Sequence, residues 1–186
     1  MRSAVVIPVK SFALAKGRLA AHLSERQRRA LARQMAETVV RAAGALPVVV
    51  ACDDDAVAAW ARDVGARVAW VPGTDLNGAV GAAVASLADV DRVVVAHADL
   101  PKARDLSVVV GTEGVVLVPD RRGDGTNVLS VPSTSSFPFA YGPGSFARHA
   151  SIAHSMGLPV TVLRPDDLTW DVDEPADLEG VHVPCA

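Results

Sequence analysis

Four short runs in the first hundred residues, SAVVIPV (3–9), PVVVAC (47–52), ARVAWVP (66–72) and DRVVVAHAD (91–99), are apolar at nearly every position. A strand with one wet face would alternate, so these runs predict strands buried on both faces. Helical patterns separate them. Ser24 and Gln27 form a capping box, Leu31, Met35 and Val39 repeat every four residues, and Gly44 ends the pattern, which predicts the first helix. A second helix follows Asp53–Asp55 and stops at Gly65, and a third starts near Asn77 and runs to about Leu87. Strand and helix in alternation predict a parallel, doubly wound sheet.

Beyond Asp99 the pattern loosens. It predicts a short helix over 102–110, then two strands, GVVLVPD and TNVLSVP, joined by the turn-rich RRGDGT. So short a link favours an antiparallel pair attached to the parallel sheet. SFARHASIAHSMG reads as a helix ending at Gly157, VTVLRP as a strand, and EPADLEGV as a short closing helix with Pro175 in its first turn. The fold class expected is α/β, with a mixed, mostly parallel Rossmann-like sheet covered by helices on both faces.

Composition narrows the options. A chain of 186 residues, half of them apolar, supports one core, so a single domain over 1–186 is expected. The net charge of -3 gives no general affinity for nucleic acid or for an anionic membrane. No segment has the roughly 20 apolar residues of a membrane span, and the opening MRSAVVIPVK is too short in apolar residues for a signal peptide. Cys52 and Cys185, without CxxC or Cys/His spacing, fit a reducing compartment and no structural zinc. A cytoplasmic protein is expected; the oligomeric state stays open, a homodimer among the options.

In open α/β sheets ligands bind outside the carboxyl ends of the strands. Asp99 leaves the fourth predicted strand in VVVAHADLP, and Asp171 and Asp173 follow the last one in DVDEPADL, two apart and so on one side of an extended segment. Asp99 and Asp173 each have a simpler reading as helix caps. Together, two acidic groups at strand ends suggest a shared Mg²⁺, which takes few carboxylates and fills its octahedron with water and phosphate oxygens. After the first strand, PVKSFALAKGRL carries Lys10, Lys16 and Arg18 around one glycine. There is no GxGxxG and no GxxxxGK[ST], so side-chain cations rather than a glycine cradle would grip a triphosphate here. Asn77, in GTDLNGAV, either caps the third helix or reads a base edge.

In this order and across nearly the whole chain, PVKSFALAKGRL, GTDLNGAV, HADLP, GDGTNVL with FAYGPGSFARH, and DVDEPADL resemble the phospholactate/phosphoenolpyruvate guanylyltransferases. These enzymes make the activated intermediate of coenzyme F420. The resemblance implies a nucleotidyltransferase fold of the glycosyltransferase A type and a reaction between GTP and a small phosphorylated three-carbon acid, with release of pyrophosphate. It implies an acceptor site at Thr126, Gly142 and Ser145. The start of a helix at Gly142–Ser145 would lend free amides and a positive dipole end to that anion. Arg148 and His149 would assist the anion or face solvent, and Phe137, Phe139 and Tyr141 would wall the pocket or pack the core. An acceptor phosphate ionised at neutral pH needs no general base. The expected catalytic set is therefore Lys16, Arg18 and Asp99, with Mg²⁺ held by Asp99 and Asp171 or Asp173, and with Asn77 near the guanine. Lys102 and Arg104 after HADLP depart from the more apolar residues expected of the family.

Three other readings stand beside this one. A sugar-nucleotide glycosyltransferase would use the same fold and metal. A molybdenum cofactor guanylyltransferase would open on a glycine-rich loop, which this chain lacks. A GTP-binding regulatory protein would bind without turnover.

Overall fold

The computed structural model describes residues 1–184; Cys185 lies outside them. Seven strands form one sheet: β1 (Ser3–Pro8), β2 (Val48–Cys52), β3 (Arg67–Trp70), β4 (Arg92–Ala96), β5 (Val115–Pro119), β6 (Thr126–Pro132) and β7 (Val160–Val162). Their order is β3-β2-β1-β4-β6-β5-β7, and only β6 runs against its neighbours. The mixed sheet thus follows the expected pattern, with one addition. β6 is inserted between β4 and β5, so the hairpin strand returns to the centre of the sheet.

Two apolar cores sandwich that sheet. Along β1, Val5 and Ile7 face one core and Val6 the other; along β4, Val94 and Ala96 oppose Val93 and Val95. This period-2 alternation with both faces dry explains the continuous apolar runs. The first core is closed by α1 (Glu25–Ala42) and α2 (Asp55–Asp63), the second by α3 (Leu76–Ala85) and α4 (Ser145–Ser155). β3 is an edge strand and is not buried on both faces: Arg67 and Trp70 are exposed.

Helix ends follow local chemistry. Ser24 accepts from Gln27 N while the Gln27 side chain accepts from Ser24 N, so the predicted capping box is present. Asp54 caps α2 and Asp75, not Asn77, caps α3. The expected helix over 102–110 is only a 3₁₀ turn at Ser107–Val109. Leu106 N–H donates instead to Ala42 O at the end of α1, which buries Leu106 against the core and takes the amide away from a helix. The closing helix is likewise one 3₁₀ turn, Pro175–Leu178, and a short α5 (Asp166–Thr169) was not foreseen.

A third, smaller cluster positions the site. Leu19 from the cationic loop and Val172 from the terminal DVD segment pack on Leu31 and Met35 of α1. Val172 is fully buried, so its neighbours Asp171 and Asp173 are turned to the opposite side. Burial of two side chains, each worth about 1.5–3 kcal/mol, brings two distant parts of the chain to the same place.

Candidate active site

The cationic loop turns sharply at Lys16, whose backbone is left-handed (φ 57°), a conformation a non-glycine residue adopts at a cost of about 1 kcal/mol or more. The turn aims its side chain inward. Lys16 Nζ donates to Asp99 Oδ2 at 2.7 Å and to Asp173 Oδ1 at 3.1 Å, with only 10% of the side chain exposed. Burial opposes the Lys16 charge, yet the two carboxylates outweigh it and raise its pKa above the ordinary lysine value. Burial opposes the charge of Asp99 as well, and Lys16, with a smaller contribution from His97, reverses that and holds the carboxyl below its usual range. Arg18 reaches Asp173 at 3.9 Å from a largely exposed position. Lys10, also exposed, stands at the mouth of a cavity at the carboxyl end of β1.

Asp99 and the DVD segment meet directly, because Val172 N–H donates to the Asp99 carbonyl at 3.2 Å. Asp171 is 7% exposed, and its carboxyl is pushed up to about 6, first by burial and then by the charge of Asp99. Asp99 Oδ1 and Asp171 Oδ1 are both buried without a hydrogen-bond partner. Among the described residues no three His, Cys, Asp or Glu side chains form a ready metal cluster. The Lys16 ammonium lies between Asp99 and Asp173 instead.

A cavity of about 420 Å³ opens beside this ion-pair cluster, walled by the ends of β1, β2 and β4 and by the start of α3. Its volume suits a small organic ligand. Lys10, Lys16 and Asp99 line one side, and Asp53, Thr74 and Asp75 the other. Asn77, expected near a base, does not line it. Its side chain accepts from Tyr141 N at 2.7 Å and donates to Tyr141 O at 3.4 Å, which uses both ends of the amide to tie α3 to the loop before α4.

The three residues expected at the acceptor site are brought together, but inward. Thr126 and Ser145 are 1% and 2% exposed, and their hydroxyls lie 3.4 Å apart. Thr126 Oγ1 also lies 3.0 Å from His149 Nδ1, and Ala140 N–H donates to His149 Nε2. With Nε2 accepting, the neutral ring carries its proton on Nδ1 and donates to Thr126. Gly142, at φ 119°, makes the turn before α4. The expectation of free amides there is not met, because the first ones already have acceptors. Gly144 N–H donates to the Asp124 carboxylate, Phe146 N–H to the Asp124 carbonyl and Ser145 N–H to Gly142 O. Arg148 is occupied by the carbonyls of Ala140 and Pro143, and His149 is fully buried rather than solvent-facing.

Sequence reasoning passed over His97 and Asp177. His97 lines the cavity, its Nε2 is buried without a partner, and its ring lies 5.1 Å from that of Tyr141. Burial keeps it neutral by lowering its pKa, and only its place in HADLP marked it. Lys102, which stood out as a departure, sits 3.2 Å over the Trp170 ring, and Arg121 sits 3.6 Å over the same ring. Two like charges so close to one centroid must lie on opposite faces.

A basic loop after β1 facing carboxylates after β4 and β7, on a mixed sheet with a cavity at the switch between β1 and β4, defines an α/β nucleotidyltransferase. The same fold occurs in a protein from Desulfovibrio desulfuricans G20 described as a nucleotide-diphospho-sugar transferase. The two superpose with a TM-score of 0.77 over 96% of this chain and 85% of that one, at 18% sequence identity. The chain belongs to the guanylyl transferase CofC like family, whose match spans residues 3–183. A phosphoenolpyruvate guanylyltransferase of Sphaerobacter thermophilus is 35% identical over 197 aligned positions, covering 99% of this chain and 95% of that protein. A 2-phospho-L-lactate guanylyltransferase of Methanothermobacter thermautotrophicus is 34% identical, covering 98% and 88%. Membership in this family favours guanylyl transfer over glycosyl transfer and over a non-catalytic GTP binder. Among the described residues no helix is long and apolar enough to cross a membrane.

Proposed function

We propose that this guanylyltransferase joins GMP from GTP to the phosphate of phosphoenolpyruvate in the cytoplasm, releasing pyrophosphate and giving the activated intermediate for coenzyme F420 synthesis. The observation that carries the reading is the convergence of Lys16 on Asp99 and Asp173 at the rim of the cavity. Such a cluster of fixed charge can receive a triphosphate on one side and a cation on the other.

Each residue then has a defined task. Lys10 and Arg18 flank the phosphates at the mouth, and Lys16 neutralises charge at the transferred group. Guanine presents two donors on one edge, and Asp53, in the cavity at the end of β2, is an acceptor suited to both. The acceptor phosphate is ionised at neutral pH and attacks the α-phosphorus without a general base, which agrees with the neutral state of His97 and His149. The residues also fit Mg²⁺. The unpartnered buried oxygens of Asp99 and Asp171 are the kind of donor a divalent cation satisfies, and Mg²⁺ needs only one or two carboxylates, with Asp173 alongside. When bound, that ion would offset the charge shared by the two phosphate groups.

Phosphoenolpyruvate is favoured over 2-phospholactate because a relative of that name matches with both chains covered almost completely. The test is pyrophosphate release from GTP with phosphoenolpyruvate, 2-phospholactate and 3-phosphoglycerate in turn, with and without Mg²⁺. Metal-dependent release that is fastest with phosphoenolpyruvate is expected. Release with none of the three acids would overturn the reading.

A further inference from the structure

Asp177 sits four residues beyond Asp173, is 1% exposed, and uses both carboxylate oxygens. Oδ2 accepts from the backbone N–H of Asp173 at 2.9 Å and of Glu174 at 2.8 Å. Oδ1 accepts from Arg122 at 3.1 Å and from Arg121, both on the turn between β5 and β6. The Asp177 carbonyl accepts from Trp170 Nε1 at 3.0 Å, and the Trp170 ring is held between Lys102, three residues past Asp99, and Arg121. One residue therefore grips the segment 170–174 at both ends. That segment carries Asp171 and Asp173.

A single 3₁₀ turn does not require this. The Asp177 bond to the Glu174 amide is the N3 half of a capping box, but the added bond to the Asp173 amide and the burial of the carboxylate go beyond that, and a buried carboxylate is costly unless it is fully paired. Here two guanidiniums from a different part of the chain complete the pairing. We propose that Asp177 is a positioning residue for guanylyl transfer: it holds Asp171 and Asp173 against Asp99 and Lys16 and so sets the affinity of the site for a divalent cation. The inference rests on the function proposed above. It extends the carboxylate group outward by one layer, and such outer partners commonly change metal affinity or activity about 10–100-fold when removed.

The test uses the full chain and Mn²⁺ as the probe, with binding followed by electron paramagnetic resonance in the presence and absence of GTP. Asp177→Asn keeps the shape and removes the charge. It is expected to fold, to bind Mn²⁺ at least about tenfold more weakly, and to bind GTP without metal within about twofold of the wild type. Arg122→Gln, a change at a half-exposed side chain that leaves Arg121 on the buried carboxylate, is expected to weaken Mn²⁺ binding about threefold while lowering the melting temperature by only a few degrees. A folded Asp177→Asn protein with wild-type Mn²⁺ affinity overturns the proposal. If that variant does not fold, an unchanged Mn²⁺ affinity in Arg122→Gln overturns it. Failure of the wild type to release pyrophosphate from GTP sinks the proposed function instead, and the Mn²⁺ measurements do not depend on turnover.

Discussion

Three aspartates near the cavity share a side chain and differ in what it does. Asp54 accepts from Ala56 N and Val57 N, and Asp75 accepts from Gly78 N, so both serve as helix caps. Asp53 caps nothing and lines the cavity, which leaves both of its oxygens for a ligand. A carboxylate that accepts from two donors of guanine contributes about 2 kcal/mol, or about thirtyfold in kcat/KM. Asp53→Asn is therefore expected to lose about that factor with GTP and to gain with xanthosine triphosphate, whose carbonyl can accept from the new amide. Steady-state kinetics with both nucleotides checks it, and equal kcat/KM ratios in wild type and variant would remove Asp53 from base recognition. At this scale the site was partly legible. Lys16, Asp99 and Asp173 follow from the rule that chemistry gathers at strand ends, and the structure joins them. Asn77 and Asp177 were not legible in their actual tasks. The partner of Asn77 is 64 residues away, and Asp177 in sequence looks like one more acidic residue in a helix turn.

Among the elements, strands and the longer helices were readable because burial on both faces and capping chemistry are written locally. All seven strands lie where the apolar runs put them. The stretch after Asp99 was not readable, because tertiary bonds such as Leu106 N–H to Ala42 O replace the helical ones, and nothing nearby announces them. Insertion of β6 between β4 and β5 is equally non-local. The loop carrying Lys16 and Arg18 is held by two apolar anchors, Phe12 on Trp60 at its start and Leu19 at its end. Leu19 is fully buried on Leu31, Met35 and Val172, just after the left-handed turn that aims Lys16. Leu19→Ala leaves a cavity there and is expected to cost about 2–5 kcal/mol in urea denaturation. Turnover should fall further than stability alone explains, because the same cluster seats Val172 between the two aspartates. Equal kcat in wild type and variant, at a temperature where both are folded, would show that the anchor does not position the loop.

For the molecule as a whole, the buried histidine behind the site makes stability depend on pH. His149 joins β6, α4 and the loop before α4, since its ring bonds Thr126 on one side and the Ala140 amide on the other. Burial first, then the nearby charge of Arg148, lowers its pKa to about 4. The folded state therefore binds the proton less readily than the unfolded chain, whose histidine titrates near 6.5. This contribution to stability is complete above about pH 6.5 and is lost as the pH falls toward 4, by roughly 3 kcal/mol in all. Protonation also removes the acceptor for the Ala140 amide, so the loss falls on the packing of α4 against the sheet. Asp171 opposes the trend. Its carboxyl is raised to about 6, so it favours the folded state more as the solution becomes acid, and the wild-type profile alone would hide the histidine. The comparison that separates them is urea denaturation of the wild type and of His149→Gln, each at pH 7 and pH 4.5. A glutamine oxygen can still accept from Ala140 and cannot titrate, so the variant is expected to become more stable relative to the wild type as the pH falls. If the two proteins change in parallel, His149 does not carry the acid sensitivity, and its neutral, doubly bonded state in the fold would have to be abandoned.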